Sequence, residues 1–172
     1  MENWKELYTE LATKLEAIEA INWIDLWHNQ VNFLEDEHPF SGPALFLAFR
    51  IADVTDEHKL VQNLTVQMDV YVFFETFADT FQGSHNQATA LEFLDLLTEV
   101  NKQLHGASGD TFSEMRRTGM SAVDTGSAHN LYRASYTCLV NDVSAYSAGE
   151  DIVDENGDPV TESEWSGYQM GG

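Results

Sequence analysis

Between Leu64 and Thr76 the chain reads LTVQMDVYVFFET, and its apolar residues alternate with polar ones. Leu64, Val66, Met68, Val70, Val72 and Phe74 share one parity, while Thr65, Gln67, Asp69 and Tyr71 share the other. A period of two marks a strand with one buried and one wetter face. This strand is about 11 residues long, about twice the usual length.

The N-terminus follows another rhythm. Trp4, Leu7, Leu11, Leu15 and Ile18 recur at steps of three and four, with Glu and Lys between them. That spacing predicts an amphipathic helix over 3–21, with Asn3 as N-cap and Glu6 at the capping-box position. WIDLWHNQV, from Trp23, predicts a strand with aromatics on both faces. Two prolines and a glycine in FLEDEHPFSGP end it. ALFLAFRI, 44–51, is almost wholly apolar and predicts a short central strand, followed by a polar turn at ADVTDEHKL.

A second helix is expected over 84–104, capped by Ser84 with Gln87 three residues on and stopped by Gly106. Its stripe is Ala90, Phe93, Leu94, Leu97, Val100 and Leu104. FSEMRRTGMSA, 112–122, predicts a strand interrupted at Gly119, and LYRASYTCLVND, 131–142, predicts another. The expected fold is α+β: a mainly antiparallel sheet of about five strands with two helices packed on it. It spans residues 1–143. Residues 144–172 form an acidic C-terminal arm, whose Asn156-Gly157 signals a β-hairpin that Pro159 restricts to an edge.

Charge narrows the function. The 172 residues hold 29 acidic and 8 basic side chains, a formal net charge of −21. That argues against gripping the outside of a nucleic-acid duplex, which needs a basic footprint. It does not exclude a channel that nucleic acid crosses without sticking, and it equally fits a surface whose acidity only aids solubility. A hydrophobic fraction of 43% excludes a disordered chain. No apolar run approaches the roughly 20 residues of a membrane span, and the acids in the first 20 positions are unlike a secretory signal.

Catalytic motifs are missing. There is no G-x-S-x-G elbow, Walker A loop, Rossmann fingerprint or zinc-protease motif. The single cysteine, Cys138, falls mid-strand and reads as a small core residue. DEH occurs at 36–38 and 56–58, at opposite ends of the 44–51 strand. About eight residues at 3.3 Å rise hold those ends roughly 25 Å apart, too far to share one metal ion. DENGDP, 154–159, departs from a calcium loop at Pro159 and Trp165. His28 is a general base only in principle, since no carboxylate pair or nucleophile stands at motif spacing. Arg116 and Arg117 have opposite parity and cannot converge on one phosphate. With Arg50 and Arg133, they are expected to hold carboxylates within the protomer or on a neighbour. No cofactor or metal is expected.

WIDLWHNQV, HPFSGPALFLAF, VQMDVYVFF, ATALEFLDLLTEVNKQL and the closing stretch from FSEMRRTGMSA to LYRASYTCLVND keep a characteristic order. In pattern and order, residues 1–143 resemble the tail-terminator and head–tail-joining (neck) proteins of long-tailed bacteriophages. The arm matches nothing in that shared core. The resemblance implies a structural virion protein, assembled in the host cytoplasm, with no enzymatic activity. It implies a homo-oligomeric ring, commonly a hexamer, that caps the tail tube and joins it to the head. Its partners would be tail-tube and head-connector proteins, and DNA would pass through the lumen unbound.

The residues supply candidates for those contacts. Gln67, Asp69 and Tyr71 lie on the wetter parity of the long strand and face a neighbour or the channel. Arg116 and Arg117 offer cations to a partner's acids. Trp165, Tyr168 and Met170, in an otherwise polar arm, suit an anchor on a partner surface. A small acidic adaptor or inhibitor of a basic protein is the alternative, and an enzyme built on His28 or the acidic loops is a third reading.

Overall fold

The computed structural model describes residues 4–32, 40–75, 79–124 and 130–145. A five-stranded sheet has the order β1-β2-β3-β5-β4. Its strands are β1 (Trp23–Leu26), β2 (Ala44–His58), β3 (Val61–Phe74), β4 (Arg116–Ala122) and β5 (Asn130–Asp142). β1 runs parallel to β2, and the other neighbours are antiparallel. Helices α1 (Trp4–Leu15), α2 (Gln87–Ala90) and α3 (Glu92–Leu104) complete the domain. The α+β class expected from the sequence is therefore observed.

The long alternating strand runs even further than its pattern suggests. β3 spans 14 residues, and β2 continues for 15, well past the apolar segment that predicted it. The expected polar turn, ADVTDEHKL, is mostly strand, because β2 and β3 form one long hairpin whose turn is Lys59-Leu60. Cross-strand partnership with β3 overrides the local polarity. β2 bulges between Ile51 and Asp53 and again between Asp56 and His58.

One face of the sheet carries the main core. Leu45 and Leu47 of β2, Leu64 to Val72 of β3, and Ala134, Tyr136, Cys138 and Val140 of β5 meet the helices there. α1 contributes Leu7, Leu11 and Leu15, spaced by four, and Ile18 follows just beyond its end. Full burial of each such side chain stabilises the fold by about 1.5–3 kcal/mol. α1 is shorter than its periodicity implied: the amides of Ile18 and Ile21 bond to carbonyls three residues back, so tight turns replace its last part.

The second helix is split at Leu91. α3 buries Phe93, Leu96, Leu97, Val100 and Leu104, so Leu96 rather than the expected Leu94 lies in the stripe, and Leu94 is 44% exposed. Asn86, not Ser84, precedes α2, and its side chain makes no capping bond. Gly106, with φ of +80°, turns the chain after α3 in the left-handed conformation that suits glycine.

On the opposite face a smaller cluster forms at one end. Val31, Ala44, Phe46, Phe73 and Leu131 are buried, with Trp27, Phe40, Tyr71 and Val123 packed around them. The expected strand from Trp23 stops at Leu26, and a single 3-10 turn follows at Gln30–Asn32. That turn brings Val31 onto this cluster. β4 begins only at Arg116; the residues before it form a loop that buries Phe112 and Met115. The predicted interruption at Gly119 is a bulge between Arg117 and Gly119.

Candidate interaction surfaces

Beyond its small cluster, the helix-free face of the sheet is a polar row across three strands. Arg50 on β2 donates to the Gln67 side chain on β3. Gln67 donates through Nε2 to Asp69 Oδ1 at 3.0 Å, and Ser135 Oγ on β5 donates to the same oxygen at 2.5 Å. Arg50 thus bonds an amide oxygen rather than the carboxylate expected for it.

This row brings Gln67 and Asp69 together and leaves Tyr71 out. Tyr71 shares their parity but stacks on Trp27, with ring centroids 4.0 Å apart and planes at 8°. It serves the small cluster, and only a half-exposed ring remains for any neighbour. By strand register, three of the four arginines, Arg50, Arg116 and Arg133, lie on this face with Asp53 and Asp69. Among the described residues, further acids lie on the helices. α1 and its exit turn carry Glu6, Glu16 and Glu19, and α3 carries Glu92, Asp95 and Glu99.

The two margins of the sheet differ. β4 forms one, and all seven of its residues are exposed. Arg116 and Arg117 point to opposite faces, as their parity requires, and neither forms an ion pair among the described residues. At the other margin β1 covers only Ala44 to Leu47 of β2, and Trp27 N bonds Leu47 O just past it. Among the described residues no strand pairs with β2 beyond that point. The overhang presents Ile51 at 45% and Val54 at 46% exposure, followed by Asp56 and Glu57. Gln62 Nε2 bonds Asp56 Oδ1 at 2.7 Å, and Asn63 Nδ2 bonds Glu57 Oε2 at 2.9 Å. Both carboxylates are held by amides, not by cations.

Beside the overhang runs an apolar groove of about 790 Å³, floored by Phe49 and Ile51 and walled by Trp4, Tyr8 and Leu26. Burial, then the Asp25 and Glu16 carboxylates, raise the Tyr8 phenol above its ordinary range. Sequence reasoning missed this groove. Its signal was present: Phe49, Ile51 and Val54 continue the apolar parity of β2, allowing for the bulge, into a segment whose outer side has no partner strand among the described residues.

The remaining candidates do not converge on a catalytic centre. His28 is exposed, with Nδ1 3.3 Å from Leu26 O. Cys138 is buried, and burial pushes its thiol up to about 12, so it stays protonated. No three His, Cys, Asp or Glu side chains gather at metal-binding distance among the described residues. Nor is any described helix long and apolar enough to cross a membrane. Asp36, Glu37 and His38, the 154–159 loop, and the anchor candidates Trp165, Tyr168 and Met170 lie outside the described residues.

No protein-family model matches the chain, and no curated protein matches it. Among solved structures, a chain from the virion of a native gene transfer agent particle is similar, with a TM-score of 0.48 and 14% sequence identity. The match covers 76% of this chain and 91% of that one.

Proposed function

We propose that this chain is a structural virion protein, a ring-forming subunit of the tail-terminator or head–tail connector kind, and not an enzyme. The observation that carries the reading is a pair of unlike margins on a single sheet, β4 and the β2 overhang, along which no strand pairs among the described residues. A sheet that exposes strand margins must protect them or use them. Unlike margins at opposite ends favour head-to-tail association, which closes into a ring when the rotation between copies is right. In such a ring the net negative potential would let DNA pass without adhesion. Tail-tube and head-connector proteins would bind its two rims. The resemblance of residues 1–143 to phage neck proteins supports the same setting, in a virion assembled in the host cytoplasm.

The acidic helix layer supports a second reading, an adaptor that presents carboxylates to a basic protein. Light scattering and negative-stain imaging of the purified chain separate the two. Closed particles of one size with a central opening are expected. A monomer at every concentration up to the millimolar range overturns the ring.

A further inference from the structure

The ring reading leaves open which surfaces meet, and the register of the sheet answers it. We infer that β4 of one copy docks antiparallel along the β2 overhang of the next, setting Arg117 against Asp56 and Arg116 against Glu57. The inference rests on the ring proposal and adds a specific interface to it.

Direction is the first support. In the order β1-β2-β3-β5-β4, β2 and β4 run in opposite senses, since β2 is antiparallel to β3, β3 to β5, and β5 to β4. When a second copy continues the sheet with its helices on the same side, its β4 arrives antiparallel to the first copy's β2. β1 occupies only the Ala44–Leu47 portion of that margin, so the incoming strand lies end to end with β1.

Register is the second. On the helix side, Arg117, Met120 and Ala122 pair with Tyr136, Ala134 and Tyr132 of β5, and so stand two positions apart. On the same side of β2, Asp56, Val54 and Ile51 pair with Gln62, Leu64 and Val66 of β3, also two positions apart. Between Arg117 and Ala122 on β4, and between Ile51 and Asp56 on β2, each strand absorbs one residue in a bulge, yet the steps agree. With Arg117 opposite Asp56, Met120 meets Val54 and Ala122 meets Ile51. Met120 is 50% exposed and Val54 46%, so this contact covers two of the large apolar side chains left open. Arg116, one residue before Arg117 and on the helix-free side, then faces Glu57, which lies in the second β2 bulge and reaches Asn63 on that side.

Charge is the third. Adjacent cations fall opposite adjacent anions, and neither pair has an ion partner among the described residues. The carboxylates are already oriented by Gln62 and Asn63, so little side-chain freedom is lost when the arginines arrive. Exposed ion pairs contribute little alone. Here the apolar strip excludes water beside them, and the charges fix register and reject a like-charged edge.

Three full-length variants test this by light scattering, with circular dichroism confirming the fold: R116E/R117E, D56K/E57K, and all four substitutions together. Each double reversal is expected to raise the concentration for half-association at least about tenfold, and the quadruple variant to return it close to the wild-type value. A V54C/M120C chain is expected to form interchain disulfide ladders under mild oxidation, whereas L94C/M120C is not. If wild type assembles but both reversals are neutral, or the quadruple variant fails to recover, this interface is wrong and the ring stands. A wild type that never assembles removes both.

Discussion

The Tyr71 ring lies flat on Trp27, tying the first turn after β1 to the C-terminal part of β3. Phe46 completes the stack, with its ring 6.0 Å from Trp27. These aromatics roof a cluster on the face opposite the helices, so among the described residues the sheet is buttressed from both sides at this end. Trp27→Ala is expected to lower stability by about 2–4 kcal/mol, and Tyr71→Ala by somewhat less, because both rings are partly exposed. In a double-mutant cycle the pair should couple by about 0.5–1.5 kcal/mol, measured by urea unfolding. Additive losses would show that the stack contributes only buried area.

The Tyr71 result also marks how far the sequence was legible. Strict alternation located β3 and its buried parity, and three- and four-residue spacing located α1 and α3, because those patterns report burial against the sheet. The wet parity of β3 was harder to read. Whether Tyr71 faces solvent depends on Trp27 folding over it, a long-range event with no local signature. The length of β2 was hidden for the same reason, since Asp53 and Asp56 are poor strand formers held by pairing with β3. The margins of the sheet, which carry the functional proposal, follow from strand order alone.

Alkaline stability should depend on two buried groups in β5. Burial is the main cause that pushes the Tyr136 phenol up to about 12, opposed by the Arg117 charge, and burial pushes the Cys138 thiol to about 12 as well. Both are neutral acids whose folded values exceed their unfolded ones. Their contribution is therefore complete below about pH 8.5 and declines as pH rises toward 12. The urea midpoint should fall over that window, and Tyr136→Phe should flatten its upper part. A midpoint that falls equally in the Phe variant would show that other groups govern the alkaline limb.

Glu10 clamps the loop after α3. It accepts hydrogen bonds from Asp110 N at 2.9 Å, Thr111 N at 3.0 Å and Thr111 Oγ1 at 2.7 Å. Burial alone would raise its carboxyl; the Thr111 and Asp110 bonds and the Lys14 charge outweigh it and leave the group below its ordinary value. A depressed folded value means that the clamp stabilises above about pH 4.5 and is lost as pH falls through the folded value. Glu10→Gln should cost about 1–3 kcal/mol at neutral pH and weaken the acid dependence of unfolding. Gly109→Ala should act in the same direction, because a Cβ there runs into the Glu10 carboxylate and closely approaches Phe112.

Salt should promote assembly before it opposes it. Copies that each carry −21 repel one another over tens of ångströms at 0.01 M salt, where the screening length is about 30 Å. At 0.15 M that length falls to about 8 Å, which removes most of the repulsion and leaves contacts at hydrogen-bond distance largely intact. Sedimentation at fixed protein concentration should show more ring at 0.15 M than at 0.01 M. A steady decline from the lowest salt would instead identify long-range attraction, as between an acidic adaptor and a basic partner.

Removing residues 146–172 tests how much of the molecule the described core sustains. The described members of both hydrophobic clusters all precede residue 145, so if they sustain the fold the shortened chain should unfold cooperatively with little change in midpoint. The segment holds seven carboxylates and no Lys or Arg, a third of the net charge of −21. If β4 and the β2 overhang form the ring contact, truncation reduces repulsion between copies and leaves the contact residues in place. Association should therefore strengthen at low salt. Should Trp165, Tyr168 and Met170 instead supply the anchor that joins copies, the shortened chain will sediment as a monomer, and the charge-reversal variants of β4 will behave like wild type.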